Sequence, residues 1–335
     1  MPPVKGNDPH IRVAVLGVRG HAARHIRLIN ANPSVELQHI YHPDPEKAEI
    51  AALTELPVTG DLGVCFESDA IIVSSPTSAH FAQLEALADY PGYILLEKPA
   101  VESQADIDRV MKFSEDRKSR IKVNFNFQFN PVAQVLAACL NDRLIGDLIH
   151  ASFETNHGGA FKDDWRGNWR MTDRLSGPIY TVGIQYVQWL VSQIGNPARI
   201  TVQASNFAGN EADDSGIARL TWDNRFVADV LTSYASAYKV NFQITGTDGY
   251  LAYDGLNVNR YSPRDTFGEN GYFVRPPETR LLEMSWSAAY DASVQNSQND
   301  FWVHVQAGSA YDPREFDRDV EIMSTLIGGS AQGPQ

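Results

Sequence analysis

Two hydrophobic periods divide this chain of 335 residues, and the change falls near residue 130. Before it, short apolar runs at 11–16, 35–41, 70–73, 93–96 and 121–129 read as buried strands. Amphipathic stretches at 21–30, 46–53, 78–89 and 104–118 separate them and read as helices, the last capped by Ser103. Continuous apolar strands joined by helices are the sequence form of a doubly wound parallel sheet, covered on both faces.

After it, Asn130-Pro131 pairs an N-cap with a proline at the first helical position and predicts a helix to about residue 143. Period-two runs follow at 148–155, 199–204, 216–222, 226–233 and 240–245, with turns at Asp223-Asn224 and Thr247-Asp248-Gly249. They predict a large, mostly antiparallel sheet. A core helix is expected over 180–194, stopped by Gly195. A last helix starts at Asp312-Pro313, shows Phe316, Val320, Met323 and Ile327 on one face, and stops at Gly328. The expected architecture is an α/β dinucleotide-binding domain of Rossmann type over 1–129, then an α+β domain over 130–335.

Composition narrows the function. The hydrophobic fraction of 43% and charged fraction of 21% are those of a soluble globular protein. A formal net charge of −13 argues against nucleic acid and anionic membranes as partners. The first ten residues lack the apolar stretch of an export signal, and no run is long enough to span a membrane. Cys65 and Cys139 lie among apolar residues, so free buried thiols and a reducing cytoplasm are expected. His21 and His25 stand four residues apart without a glutamate between them, and no metal site is expected.

The loop after the first strand reads Gly17-Val18-Arg19-Gly20-His21-Ala22. A dinucleotide fold wants a glycine for the tight turn, one for approach of the pyrophosphate and one for helix packing. Gly17 meets the first need, Arg19 stands at the second position, and Ala22 packs nearly as well as the third glycine. Arg19 is suited to contacting phosphate. A tight turn without a ligand is the plainer reading. At the end of the second strand, where an acid usually holds the ribose diol, stands His42. His42 with Arg19 suits a 2′-phosphate, whereas Asp44 in the following turn suits a ribose diol, so NAD and NADP both stay open.

The strand over 93–96 ends in Glu97-Lys98-Pro99, which puts a lysine at the carboxyl edge of the sheet, where such folds bind ligands. That tripeptide, the segment Ile72-Val73-Ser74-Ser75-Pro76-Thr77-Ser78-Ala79-His80, and Phe129-Asn130-Pro131, Ile145-Gly146-Asp147 and the region of Gly183 are in order and spacing similar to the Gfo/Idh/MocA oxidoreductases. The resemblance covers nearly the whole chain. It implies a Rossmann domain, a C-terminal open-faced sheet, and NAD(P)-dependent oxidation or reduction of sugars, inositols and related polyols. It implies that Pro76 and Thr77 border the nicotinamide pocket, with Ser75 and His80 in the same segment, and that Glu97 and Lys98 form the far wall. Lys98 would hydrogen-bond the reacting oxygen, stabilise a developing alkoxide and relay a proton.

The resemblance also exposes departures. The family's catalytic Asp and His, one helical turn apart, correspond to Thr181 and Gln185, neither of which titrates near neutral pH. Gln128 stands where many members carry Arg. Tyr180, Tyr186 and His157 are then the expected helpers, although a histidine in Asn156-His157-Gly158-Gly159 also reads as a solvated loop residue. Trp165, Arg166 and Trp169 alternate aromatic and cationic groups that suit a sugar ring bearing an anionic group; they equally read as a packing loop whose arginines pair with Asp163 and Asp164. Two functions follow: an oxidoreductase centred on Lys98, or a catalytically degenerate NAD(P)-binding scaffold or regulatory protein. An uncovered half-apolar sheet face, with the family's habit of pairing, predicts a homodimer or homotetramer.

Overall fold

The computed structural model describes residues 10–46, 58–165, 168–223 and 225–330. The helix expected over 46–53 falls outside them except for Glu46, and so does Arg166. The chain forms two compact units, Met1–Asn124 with Ser297–Val320, and Phe125–Asn296 with Glu321–Gln335.

In the first unit, β1 (Ile11–Leu16), α1 (His21–Ala31), β2 (Val35–Tyr41), β3 (Val58–Thr59), β4 (Ala70–Val73), α2 (Thr77–Ala86), β5 (Tyr93–Glu97), α3 (Gln104–Val110), α4 (Glu115–Lys118) and β6 (Ile121–Asn124) follow in order. The strands pair in parallel as β3-β2-β1-β4-β5-β6. Strand order therefore reverses between β1 and β4, the point where open α/β sheets bind ligands beyond their carboxyl ends. The single helix expected over 104–118 is two: Ser103 caps the first and Ser114 the second, each accepting a backbone N–H. A serine that caps a new turn ends the old one. The last strand ends at Asn124 rather than 129, and Asn126–Phe129 forms a 3-10 turn.

The second unit contains α5 (Pro131–Asn141), β7 (Leu148–Asn156), the short α6 (Trp169–Thr172), a π turn over Ile179–Gly183 leading into α7 (Ile184–Ile194), and seven further strands. These are β8 (Arg199–Ser205), β9 (Ser215–Thr221), β10 (Val227–Ser233), β11 (Lys239–Gly246), β12 (Gly249–Tyr253), β13 (Asn257–Tyr261) and β14 (Glu278–Glu283). They pair as β14-β13-β12-β11-β7-β10-β9-β8, antiparallel except for β7 with β10. Asn130 caps α5 as expected, and Gly195 at φ +95° stops α7. Phe127, Phe153, Tyr186, Trp189 and Phe242 pack ring to ring as the centre of this core.

Two further helices, α8 (Trp286–Ala307) and α9 (Pro313–Ser330), close the chain. Their segment 297–320 belongs to the first unit, so a division of the chain at 129/130 leaves out a returning piece. Phe301, Trp302 and Tyr311 bring it back by burying themselves with Val15, Ile26, Ile29 and Ile40. The periodicity of α8 is hard to see because Ser293, Ser297 and Gln298 occupy buried positions on it. The last helix runs through Gly328 to Ser330. Among the described residues no helix is long and apolar enough to cross a membrane.

One face of the large sheet is more polar than the sequence pattern suggested. Ala228, Val230 and Thr232 of β10 are buried, whereas Gln203, Arg219 and Gln243 on neighbouring strands are exposed. Arg219 and His150 both bind Asp229, at 2.7 and 3.2 Å.

At the carboxyl end of β1 the backbone leaves no room for a side chain. Gly17 has φ +115°, and a Cβ there would lie 2.6 Å from the Ser74 carbonyl oxygen at the end of β4. Gly17 N–H donates to Tyr41 O and Ser74 N–H to Leu16 O, so neither neighbour is free to retreat. Gly17→Ala should therefore destabilise the fold by roughly 2 kcal/mol or more, read as a lower urea midpoint at unchanged slope. Wild-type stability in that variant would contradict this account of the turn.

Candidate active site

The carboxyl ends of β1, β2, β4 and β5 gather the cofactor-side residues of the first unit. Gly17 makes the turn, and Gly20 follows as the N-cap of α1 with φ 59°, ψ −116°. The second glycine conformation is thus supplied one residue after the expected position, by Gly20 rather than Arg19. Nothing lies within 4 Å of where a Gly20 Cβ would be. No side chain caps α1, and its first turn holds no acid. Val18 and Ala22 are buried, and Arg19 is exposed beside this helix start. An anionic group fits such a helix start, where backbone N–H groups converge. Nearby, the Ser74 hydroxyl is buried without a partner among the described residues.

At the end of β2 the Asp44 backbone N–H meets His42 Nδ1 at 3.0 Å. At the end of β4, Ser75 Oγ donates to Gln83, Pro76 precedes α2, and Thr77 opens it. His80 is fully enclosed; its ring nitrogens lie 3.1 Å from Ser75 O and 3.0 Å from Pro99 O, which ties the two loops together. Burial outweighs these carbonyls and lowers its pKa.

Glu97, at the end of β5, is 6% exposed. Its Oε1 faces His25 Nε2 at 2.9 Å and accepts from Asn124 Nδ2 at 2.7 Å, with His21 Nδ1 at 3.7 Å. Asn124 Oδ1 in turn accepts from Ser297 Oγ. Burial alone would raise the Glu97 pKa; His21, the His25 hydrogen bond and the charge of Lys98 outweigh it and hold the carboxyl well below the usual range. His21 and His25 thus serve this carboxylate. Among the described residues no three His, Cys, Asp or Glu side chains cluster as metal ligands. Lys98 follows Glu97, half-buried, ahead of a cis peptide bond to Pro99.

In the second unit Thr181 and Gln185, the residues expected at the family's Asp and His positions, are both internally bonded. Thr181 Oγ1 donates to the Gly177 carbonyl at 3.1 Å and lies 2.7 Å from Tyr234 Oη. Gln185 Oε1 accepts from the Phe127 backbone N–H and its Nε2 donates to Asn126 Oδ1, so both ends of the amide brace the 126–129 turn. His157 is not a solvated loop residue. Its ring stacks on Tyr234 at 4.7 Å and meets Trp165 edge-on at 5.2 Å, and its Nδ1 accepts from Gly159 N–H. Burial, then Arg170 and Lys162, lower its pKa. Arg170 also hydrogen-bonds Tyr234 and lies over the Trp169 ring at 4.4 Å.

Two expected residues stand elsewhere. Tyr186 is buried in the aromatic core with its hydroxyl on Thr155, away from solvent, because its ring fills the space between Phe153 and Phe127. The Tyr180 hydroxyl is engaged by Ser330 of α9. Tyr234 is the residue that sequence reasoning missed. It sits one step past β10, beside His157 one step past the parallel β7, and only knowledge of that pairing brings the two together.

Residues 11–125 match an oxidoreductase family with an NAD-binding Rossmann fold, and residues 133–252 match the GFO/IDH/MocA C-terminal domain. The chain belongs to the Gfo/Idh/MocA oxidoreductase family. It is 20% identical over 322 residues to inositol 2-dehydrogenase of Rhizobium meliloti, spanning 90% of this chain and 91% of that one. Its fold matches an Agrobacterium radiobacter oxidoreductase solved with NAD+, L-tartaric acid and magnesium, with a TM-score of 0.77, 17% identity and 97% of both chains covered. It also matches KijD10, a 3-ketoreductase of Actinomadura kijaniata solved with NADP and TDP-benzene, with a TM-score of 0.76, 17% identity, and 96% of this chain and 98% of that one covered. In this Gfo/Idh/MocA protein the first unit is therefore an NAD-binding Rossmann fold.

The Glu97 network makes stability depend on acid. A carboxyl held lower in the folded protein than in the unfolded chain adds stability above its unfolded value of about 4.3, and loses it as pH falls toward the folded value. Wild-type stability should thus decline below about pH 5. Glu97→Gln should be less stable at pH 7 by about 1–3 kcal/mol and show a shallower acid limb, read by urea titration across pH. Parallel acid limbs would contradict an ionised Glu97.

Proposed function

We propose that this protein is an NAD(P)-dependent oxidoreductase of a sugar, sugar derivative or related polyol or carbonyl compound, with Lys98 as its main acid and base. The observation that carries this reading is Lys98 itself. It follows a braced, ionised carboxylate at the sheet edge where the fold binds ligands, while Thr181 and Gln185 hold neutral, internally bonded groups. Bound NAD(P) would accept or donate the hydride. Gly17, Val18, Gly20, His21 and Ala22 would shape the pyrophosphate turn, and Arg19, His42 and Asp44 would face the adenosine side. Ser75, Pro76, Thr77 and His80 would border the nicotinamide, with Glu97 offering an acceptor oxygen. Lys98 would hold the reacting oxygen, stabilise the alkoxide and pass its proton.

In the second unit, His157, Trp165, Trp169 and Tyr234 would offer a stacking face to a sugar ring, with Arg170 as a cation for an anionic substituent. Lys98→Met should lower turnover about 10²-fold or more while NADH still binds. The assay screens sugars, sugar acids and sugar nucleotides at the absorbance of reduced nicotinamide, with NADH and NADPH compared. Full activity in Lys98→Met would remove the mechanism. The second reading, a nucleotide-binding scaffold without turnover, is favoured by the same Thr181 and Gln185 bonds; tight NADH binding with no redox substrate would select it.

The buried free Cys65 and Cys139 suit a cytoplasmic protein. For assembly we propose a homodimer or homotetramer formed through the uncovered sheet face. With Arg219, Asp229 and His150 on that face, pairing would rest on polar complementarity as well as on exposed Leu231. Light scattering at micromolar concentration should give a dimer or tetramer mass that falls in high salt. A monomer at low salt would overturn it.

A further inference from the structure

The buried carboxylate of Glu97 is used unevenly. His25, Asn124 and His21 all face Oε1, and Oε2 has no partner among the described residues. The orientation of His25 follows from its other neighbour. Gln298 Nε2 lies 3.3 Å from the His25 carbonyl oxygen and 2.8 Å from His25 Nδ1. A carbonyl oxygen only accepts, so the Gln298 NH2 end must face His25. Nδ1 is then an acceptor, and the ring carries its proton on Nε2, aimed at Glu97 Oε1. His25 and Gln298 are both enclosed, at 0% and 2% exposure, so no water substitutes for either bond.

We infer that His25 is a positioning residue for the cofactor: its tautomer, locked by Gln298, holds Glu97 Oε1 and leaves Oε2 as the acceptor for a hydroxyl or amide N–H of the bound dinucleotide. This rests on the reading that NAD(P) lies along Glu97 and Lys98. The segment around Ser297 and Gln298, far along the chain from the glycine turn, is then part of the cofactor machinery. A ring with its proton on Nδ1 would oppose the Gln298 NH2 and leave Oε1 without its donor. The carboxylate would then turn inward to Asn124 or take up a proton, and either change spends the acceptor.

The titratable groups facing Glu97 are His21 and His25 from α1 and Lys98, the residue that follows its strand. Asn124 on β6 and Ser297 and Gln298 on α8 are uncharged. Removing the His25 donor therefore raises the pH at which Glu97 binds a proton, since burial then acts with less opposition.

The first measurement is 15N NMR of the histidine rings in the free protein. His25 should show a protonated Nε2 and a bare Nδ1 at pH 7, and Gln298→Leu should loosen that preference. A proton on Nδ1 in the wild type overturns the inference. The second is NADH affinity by fluorescence between pH 5 and 8. Wild-type affinity should vary by less than about 2-fold, whereas His25→Leu should lose about 10-fold or more at pH 5 relative to pH 8, and His25→Gln, which keeps an N–H donor, should restore the flat profile. A purely structural His25 would give an equal loss at every pH in both variants, with lowered melting temperature, and that result also overturns the inference. Wild type that binds neither NADH nor NADPH would sink the cofactor reading itself, while the NMR result would still decide the tautomer.

Discussion

A carboxylate buried at the end of a sheet strand organises the first unit of this protein. Taking an ion out of water costs several kcal/mol unless donors meet it. Glu97 meets its donors from α1 and β6, and Ser297 of α8 supports one of them. Four chain segments must therefore be in place before the charge is tolerated. The same requirement fixes the backbone leading into Lys98, and His80 holds Pro99 from the other side. A lysine on a long flexible side chain gains a defined base in this way without being rigid itself.

Most of the fold was legible because burial on a parallel sheet writes itself as apolar runs. The limits of β1, β2 and β4 follow the runs residue for residue. The failures have physical causes. Ser114 starts a new helix inside an amphipathic stretch, and Asn126–Phe129 keeps an apolar composition while serving as a turn. Strands β12 and β13 are five residues each, too short to show a clear alternation, and β14 at the sheet edge is exposed over most of its length. Helix α8 buries Ser293, Ser297 and Gln298 between Ala289, Val294, Phe301 and Trp302, so its hydrophobic stripe is interrupted.

The site divides along similar lines. The glycine turn, Glu97 and Lys98 were readable because each is demanded by local backbone geometry or by a short motif. The partners of Glu97 were not, because Asn124, Ser297 and Gln298 are ordinary polar residues until a charge is buried among them. Tyr234 was invisible for a topological reason: it becomes a neighbour of His157 only through the parallel pairing of β7 and β10, between residues far apart in sequence. Tyr186 misled in the opposite sense. Its place beside Gln185 suggested the substrate, yet helical geometry turns adjacent residues to different faces, and this one faces Phe153.

The proton balance of the second unit follows from these contacts. Thr181 and Gln185 carry no ionisable group. Burial pushes the Tyr234 phenol up, while burial with Arg170 and Lys162 pushes His157 down. Near neutral pH both therefore stay uncharged. Beside them stand the Trp165 ring and the Arg170 guanidinium. Oxidation of an alcohol by hydride transfer nevertheless releases one proton for each hydride moved. On the proposed reading, that proton would pass to Lys98 and to solvent. A histidine at the Gln185 position would face a further obstacle: it would have to replace the two bonds that Gln185 makes to Asn126 and Phe127. Gln185 is therefore built into the packing around the start of α7.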